Sequence, residues 1–309
     1  MMTFATPLRT ARRGLRLSIG LLALLLVTVG CDSEDLGDAN PQTPSVNDYV
    51  SEVSALSTLD GAVQEAGLEG ALEQEGITLF APLDGAFEPA IDTTLNQEVL
   101  RKVLQHHVVG SEVTSDQLSD GQLVTPLAGA DLTIGVGEAV TVNRATVTNP
   151  DANAANGVVH VIDGLLADAV DRATLTPRFT IFARLVKEAD LASALRVSGD
   201  NDGRTIFAPT NEALLAVLDE DDSGEVESDE IPANADEILQ YHVLDSVFLA
   251  ADVPESETAV QTLEGSDVTV VRSGDEVTVN PNDEGASVTT PNVEVDNGVI
   301  HGIDTVLMP

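Results

Sequence analysis

One eight-residue stretch occurs twice and divides the chain. Asn156-Gly157-Val158-Val159-His160-Val161-Ile162-Asp163 returns near the C-terminus as Asn297-Gly298-Val299-Ile300-His301-Gly302-Ile303-Asp304. An Asn-Gly pair marks a tight turn because both residues tolerate positive φ, and the apolar run behind it has the composition of a buried strand. Each copy therefore predicts the closing strand of a folding unit.

Two further pairs lie upstream in the same order. Thr78-Leu79-Phe80-Ala81-Pro82-Leu83-Asp84 matches Thr205-Ile206-Phe207-Ala208-Pro209-Thr210-Asn211, and Gln105-His106-His107-Val108 matches Gln240-Tyr241-His242-Val243. Three motifs in fixed order, twice, make a tandem repeat of a whole domain. The unit exceeds a hundred residues, too long for a solenoid repeat, so each copy must bury its own core.

These residues resemble the fasciclin domain family, whose signature blocks are Thr-hydrophobic-Phe-Ala-Pro-Thr-Asp/Asn and Asn-Gly-Val-Ile-His-Val-Ile-Asp, with a Tyr-His pair between them. Leu83 stands in place of a Thr, His106 in place of the first Tyr, and Gly302 in place of a Val. The resemblance implies an α+β fold of two tandem domains, each a twisted β-sheet wedge flanked by short helices. It places the domains at 47–170 and 171–309. It further implies adhesion or extracellular interaction, with a cell-surface or matrix component, protein or polysaccharide, as partner. In animal relatives the segment around the Tyr-His pair is associated with receptor binding. By resemblance, an interaction surface is expected at Tyr241 and His242, with His107 as a partial match.

The first 30 residues have signal-peptide proportions. Arg9, Arg12, Arg13 and Arg16 precede an apolar run from Leu17 to Val29, too short to span a bilayer comfortably. Thr28-Val29-Gly30-Cys31 resembles a bacterial lipobox, with Thr28 where Leu is usual, which makes Cys31 the expected lipidation site. The alternative is a secreted protein with an unpaired thiol. Cys31 is the sole cysteine, so no intramolecular disulfide can form. Residues 31–46, rich in Asp, Ser, Asn and Pro, read as an acidic flexible tether. The expected location is the bacterial cell envelope, periplasmic or surface-exposed, with the membrane contacted through the lipid anchor only.

Net charge narrows the partners. The chain carries 14 basic and 52 acidic residues, a formal charge of −38, and four of the basic residues lie in the acid-free leader. Such a field repels nucleic acid and anionic headgroups. Only Lys102 and Lys187 are lysines, and the acids are spread over the whole length. This pattern resembles proteins of salt-loving organisms, in which salt screens the self-repulsion.

Periodicity places the elements of the first domain. Ser45 and Asp48 have capping-box spacing, Val53, Leu56, Leu59 and Val63 form one helical face, and Gly67 is a stop signal. A buried strand is expected over Thr78–Ala81, a short helix over Asp84–Ala90 and a longer helix from Gln97. Alternating strands follow around Leu132, Ile134 and Val136 and around Val140 and Val142. In the second domain Phe179, Phe182, Leu185 and Ala189 repeat the helix, while Val268, Val270, Val277 and Val279 repeat the strand pair.

The second copy is longer between its motifs. Ala208 to Tyr241 spans 33 positions where Ala81 to His106 spans 25. The added length holds Asp219-Glu220-Asp221-Asp222-Ser223-Gly224-Glu225-Val226-Glu227-Ser228-Asp229-Glu230, an EF-hand-like pattern. It puts Asp219, Asp221 and Ser223 at ligand positions 1, 3 and 5, Gly224 at the sharp turn, and Val226 at the apolar position 8. Glu225 would ligate through its carbonyl, Glu227 directly or by water, and Glu230 with both oxygens. Alternating side chains of a tight loop can supply the six to eight oxygens calcium takes, so one calcium site is expected; the bland alternative is a solvated acidic loop. No partner loop of this kind is visible, which suits the weak extracellular end of the affinity range, on the order of 10⁻⁴ to 10⁻³ M. The acidic run at Asp200-Asn201-Asp202-Gly203 is expected to be a simple turn.

Catalysis finds no support. Four of five histidines fall at repeated positions, His107 with His242 and His160 with His301, as buried structural residues would, and His106 is expected to share their packing surface. There is no phosphate loop, no Gly-x-Ser-x-Gly, no paired-Cys site and no His-Glu-x-x-His. The expected function is non-catalytic adhesion with a structural calcium site. The alternative is a periplasmic solute-capture lipoprotein, which would need an apolar pocket.

Overall fold

A computed structural model describes residues 43–196, 203–280 and 285–309. The leader, Cys31, most of the tether, and residues 200–202 of the acidic turn lie outside the described residues. No described helix is long and apolar enough to cross a membrane.

The first domain opens with α1 (Val46–Glu52), capped as expected: Ser45 Oγ accepts from the Asp48 N–H, and the Asp48 carboxylate from the Ser45 N–H. The single helix expected through Val63 is two. Val53 is extended, with φ −88° and ψ 107°, and separates α1 from a 3₁₀ turn and α2 (Ser57–Ala66). Gly67 ends α2 in the left-handed conformation, at φ 62°. The short α3 (Glu69–Leu72) leads to β1 (Ile77–Pro82), a 3₁₀ turn over Asp84–Phe87, and α4 (Gln97–His106). The Asp84 segment is tighter and shorter than the helix expected there.

Strands β2 (Val108–Val109), β3 (Leu123–Val124), β4 (Leu132–Val136), β5 (Val140–Val142), β6 (Ala145–Ala154) and β7 (Gly157–Ile162) complete one sheet, in the order β2-β1-β7-β6-β5-β4-β3. The signature strands β1 and β7 lie parallel at its centre, Ile77 opposite Gly157 through Pro82 opposite Ile162, and every residue of both is buried. Strands buried on both faces read as unbroken apolar runs. A bridge from Val109 to Pro126 joins the sheet's two ends, so the sheet is nearly closed. One core lies inside the curl, around Phe80, Leu132 and Ile134; the other lies under the helices, around Leu59, Leu79 and Leu104.

The second domain repeats this plan. Helices α5 (Ala169–Leu175), α6 (Thr180–Glu188) and α7 (Ala192–Arg196) precede β8 (Arg204–Pro209). Then come α8 (Asn211–Leu218), α9 (Ala235–Tyr241), β9 (Val243–Leu244), β10 (Thr258–Gln261), β11 (Asp267–Ser273), β12 (Glu276–Val279), β13 (Ala286–Val295) and β14 (Gly298–Ile303). The sheet order β10-β11-β12-β13-β14-β8-β9 is that of the first domain, with β8 and β14 as its parallel centre.

The boundary expected between residues 170 and 171 falls inside α5. Asp168 caps this helix by accepting from the N–H groups of Val170 and Asp171. The Ala169 N–H donates to Asn297 Oδ1 at 3.1 Å, so α5 begins the second domain just as α1, pinned by Asn156, begins the first. At the junction Lys102 pairs with Asp171 and lies 3.5 Å from Asp168, while Arg196 reaches Asp168 at 2.7 Å and Asp171 at 3.3 Å. Burial, then the neighbouring Asp168 charge, raises the Asp171 pKa; at Asp168, burial is outweighed by the Asp171 N–H and Arg196, which lower it. His106 does not share its neighbours' packing surface. Its Nε2 lies 3.1 Å from Asp296 Oδ2, across the junction.

Candidate metal centre

The inserted loop is held at both ends by folded structure. Helix α8 enters it, capped by Thr210 Oγ1 accepting from the Ala213 N–H, and ends at Leu218, immediately before Asp219. Inside the loop, Asp222 and Gly224 take positive φ, 59° and 82°. Those two reversals turn the chain tightly enough to face its side chains inward.

Backbone N–H groups then fix the carboxylates. Asp219 accepts from the N–H groups of Ser223 at 2.9 Å and Gly224 at 2.8 Å, and Asp221 accepts from Ser223 at 3.0 Å. Glu230 accepts through one oxygen from the Glu220 N–H at 2.7 Å and through the other from the Glu227 N–H at 2.8 Å. The result is that Asp219, Asp221 and Glu230 bring carboxylate oxygens within 4.8 Å of one another. Ser223 Oγ lies 3.1 Å from the Glu225 carbonyl and 3.3 Å from a Glu227 oxygen. The structure thus brings Asp219, Asp221 and Glu230 together, with Ser223 bonded to both aspartates and Glu225 and Glu227 beside Ser223; the Glu227 carboxylate is not among the three that converge.

Charge crowding leaves its mark on the acids. A hydrogen bond with Glu230, followed by burial and the charges of Glu230 and Asp221, raises the Glu227 pKa, while the Glu227 N–H lowers that of Glu230. A cluster of carboxylates whose charges raise a neighbour's pKa is suited to a hard divalent cation, which removes the repulsion by binding.

Sequence reasoning missed what docks the loop. Val226 is 2% exposed, and its carbonyl accepts from Arg184 Nη2 on α6. Fully burying a valine contributes about 1.5–3 kcal/mol. Arg184 lies 42 positions before its partner, and no local pattern marks it. After Glu230 the chain makes a further turn, and α9 starts only at Ala235, later than in the EF-hand pattern.

The interaction surface expected at Tyr241, His242 and His107 does not form. His107 and His242 are fully buried and Tyr241 is 5% exposed, so none can meet a partner in the folded state. Their work is internal. His107 Nε2 accepts from the Leu166 N–H and its Nδ1 donates to the Val103 carbonyl; His242 does the same with Leu307 and Ile238. Burial drives their pKa values down, to about 3 for His107 and about 4 for His242, so both rings are neutral. His160 and His301 are buried as well, each stacked on the signature Phe of its domain, Phe80 or Phe207. Tyr241 donates to the Asp267 carbonyl at 3.2 Å.

A duplicated nearly closed sheet with a parallel signature pair, each copy holding two buried histidines, defines a class of tandem α+β modules. The fasciclin domain family model matches residues 54–168 and 177–309, and the chain belongs to that family. It is 28% identical to human periostin over 263 residues, covering 82% of this chain and 30% of periostin. It is 33% identical over 122 residues to the cell surface glycolipoprotein MPB83 of Mycobacterium bovis, covering 36% of this chain and 54% of that protein. A solved fasciclin domain pair from the insect cell adhesion molecule fasciclin I aligns with 82% of this chain and 97% of its own, at 20% identity and a TM-score of 0.39. The chain spans about a third or less of the length of its larger animal relatives.

Proposed function

We propose that this chain is a non-catalytic adhesion or interaction protein of the cell envelope, exported by its leader, anchored by lipid on Cys31, and carrying one structural calcium ion in its second domain. Fasciclin domains occur in cell adhesion proteins, and MPB83, a bacterial relative, is a cell surface glycolipoprotein. The observation that carries the calcium part is the convergence of Asp219, Asp221 and Glu230 within 4.8 Å, each fixed by backbone donors.

Calcium in this reading fastens the insertion to the domain. Asp219, Asp221 and Glu230 close around the ion, Val226 seats against α6, and α8 and α9 are held at a fixed separation. The adhesion part is tested by treating intact cells with protease, with and without a chelator. Release of the two domains, faster once calcium is removed, is the expected result. Full protection at both calcium levels would contradict surface adhesion and favour periplasmic solute capture.

A further inference from the structure

The cations of this chain are few, and they are not scattered. Between Val46 and Ala167 there are three, Arg101, Lys102 and Arg144, and all three line clefts at the junction of the domains. The only two lysines, Lys102 and Lys187, line one of these clefts, of about 440 Å³, together with Arg101 and Arg196. Helix α4 supplies Arg101 and Lys102 from the first domain, while α6 supplies Lys187 and α7 supplies Arg196 from the second. An otherwise acidic surface gathers four cations in one place.

Holding the domains together accounts for two of the four. Helix α5 packs on both domains, with Leu175 in the first core and Ala169 in the second, and its Asp168 and Asp171 are answered by Lys102 and Arg196. Arg101 and Lys187 take no part in this. Arg101 donates to the Ala66 carbonyl through Nε at 3.2 Å and Nη2 at 2.9 Å, a contact within its own domain. Lys187 Nζ donates to Thr174 Oγ1 at 2.9 Å, within the second. Both bond to neutral oxygens and both are exposed. The cleft's other carboxylate is Glu98, which leaves two cations against one acid.

We propose that this cleft binds a phosphate group, free or borne as a monoester, between Arg101 and Lys187. The donors come from three helices, so the acceptor must offer oxygens in several directions. A phosphate group has three terminal oxygens set tetrahedrally and close to two negative charges, whereas a carboxylate has two oxygens in one plane and one charge. Arginine and lysine together suit it, the one as a planar fork and the other as a point charge. The acidity of the chain does not forbid this. At about 0.15 M ionic strength the Debye length is about 8 Å, so distant acids are screened while the cations lining the cleft are not. A nucleic acid, which would run on over the acidic surface, stays repelled.

The site stands apart from the adhesion reading and from the calcium loop, none of whose residues line it. The scarcity of lysine supplies the probe. Reductive methylation with carbon-13 formaldehyde keeps the lysine charge and labels, besides the N-terminal amine, Lys102 and Lys187 alone. The full chain, without calcium, is titrated with inorganic phosphate, glucose 6-phosphate, acetate and chloride at equal ionic strength, and the lysine signals are followed by NMR. Both signals are expected to move together and saturate with phosphate, at a concentration at least ten-fold below that needed with acetate or chloride. Arg101→Gln should raise the half-saturating concentration at least five-fold. Glu98→Gln should lower it at least two-fold, a gain that loss of a merely structural contact would not give. Binding of glucose 6-phosphate at least as tight as that of inorganic phosphate assigns the cleft to a monoester, and binding of inorganic phosphate alone assigns it to the free ion. Shifts that follow ionic strength and are the same for every anion would overturn the proposal. So would movement of Lys102 without Lys187, or an unchanged half-saturation in Glu98→Gln.

Discussion

Asn156 Oδ1 accepts the N–H of Val46, 110 positions earlier, at 2.8 Å, and Asn297 repeats this bond with Ala169 across 128 positions at 3.1 Å. The signature asparagine is therefore more than a turn residue. Its amide also donates, from Asn156 to the carbonyls of Leu72 and Gln74, and from Asn297 to that of Leu195. One buried side chain ties the first helix, the segment before the first central strand and the last hairpin of each domain.

Asn156→Ala leaves a buried N–H and two carbonyls without partners, and each such loss costs about 1–3 kcal/mol. Chemical denaturation should show a loss of at least ~2 kcal/mol. A loss below 0.5 kcal/mol (~ the scale of a neutral surface change) would mean that water replaces the amide.

The glycine after that asparagine is equally constrained. A Cβ at Gly157 would stand inside van der Waals contact of the Ile77 carbonyl, and one at Gly298 inside that of Arg204; Gly298 also has φ 147°. In both cases the obstacle is the backbone of the parallel partner strand, which cannot rotate away. Gly298→Ala should lower stability by more than the ~1 kcal/mol typical of point changes, on the order of 3 kcal/mol, with the loss confined to the second domain in amide exchange.

Acid should weaken the fold through its neutral histidines. The folded pKa values of His107 and His242, about 3 and about 4, lie below the ordinary 6.5. The unfolded chain takes up protons first as pH falls, so this contribution is fully present above 6.5 and is lost on descending toward 4 for His242 and toward 3 for His107. The slope reaches about 1.4 kcal/mol per pH unit for each histidine. Denaturation midpoints measured from pH 7.5 to 4.5 should fall in the wild type. In a His107→Asn, His242→Asn double variant, less stable at pH 7.5, the decline should be visibly shallower; an unchanged slope would contradict neutral buried rings.

Much of this architecture was legible because the motifs are duplicated. Recurrence marked β1, β7, β8 and β14 without reference to propensity, and the Ser45 cap and Gly67 stop emerged from local chemistry. The parallel pairing of β1 with β7 was not readable, since Ile77 and Gly157 meet only through the fold. Motif spacing also misplaced the domain boundary, because α5 serves both domains, and periodicity ran through Val53, where the backbone turns extended. At the loop, the sequence named the acids but neither Arg184, which docks Val226, nor the delayed start of α9. The Tyr-His positions carried a surface expectation from relatives, and burial replaced it with a packing role.

The calcium site is the most specific chemical claim, and calorimetry tests it directly. Calcium is titrated into the unit from Gln42 to Pro309 and into its Glu230→Gln variant, at low and high monovalent salt, with thermal melting in parallel. One-site saturation is predicted, weakened at least ten-fold in the variant, with a melting temperature that rises with calcium in the parent alone; at ten times Kd the gain is about 1.4 kcal/mol. Heats that are the same in both proteins and vanish at high salt would show counterion exchange on an acidic surface, and would contradict the site.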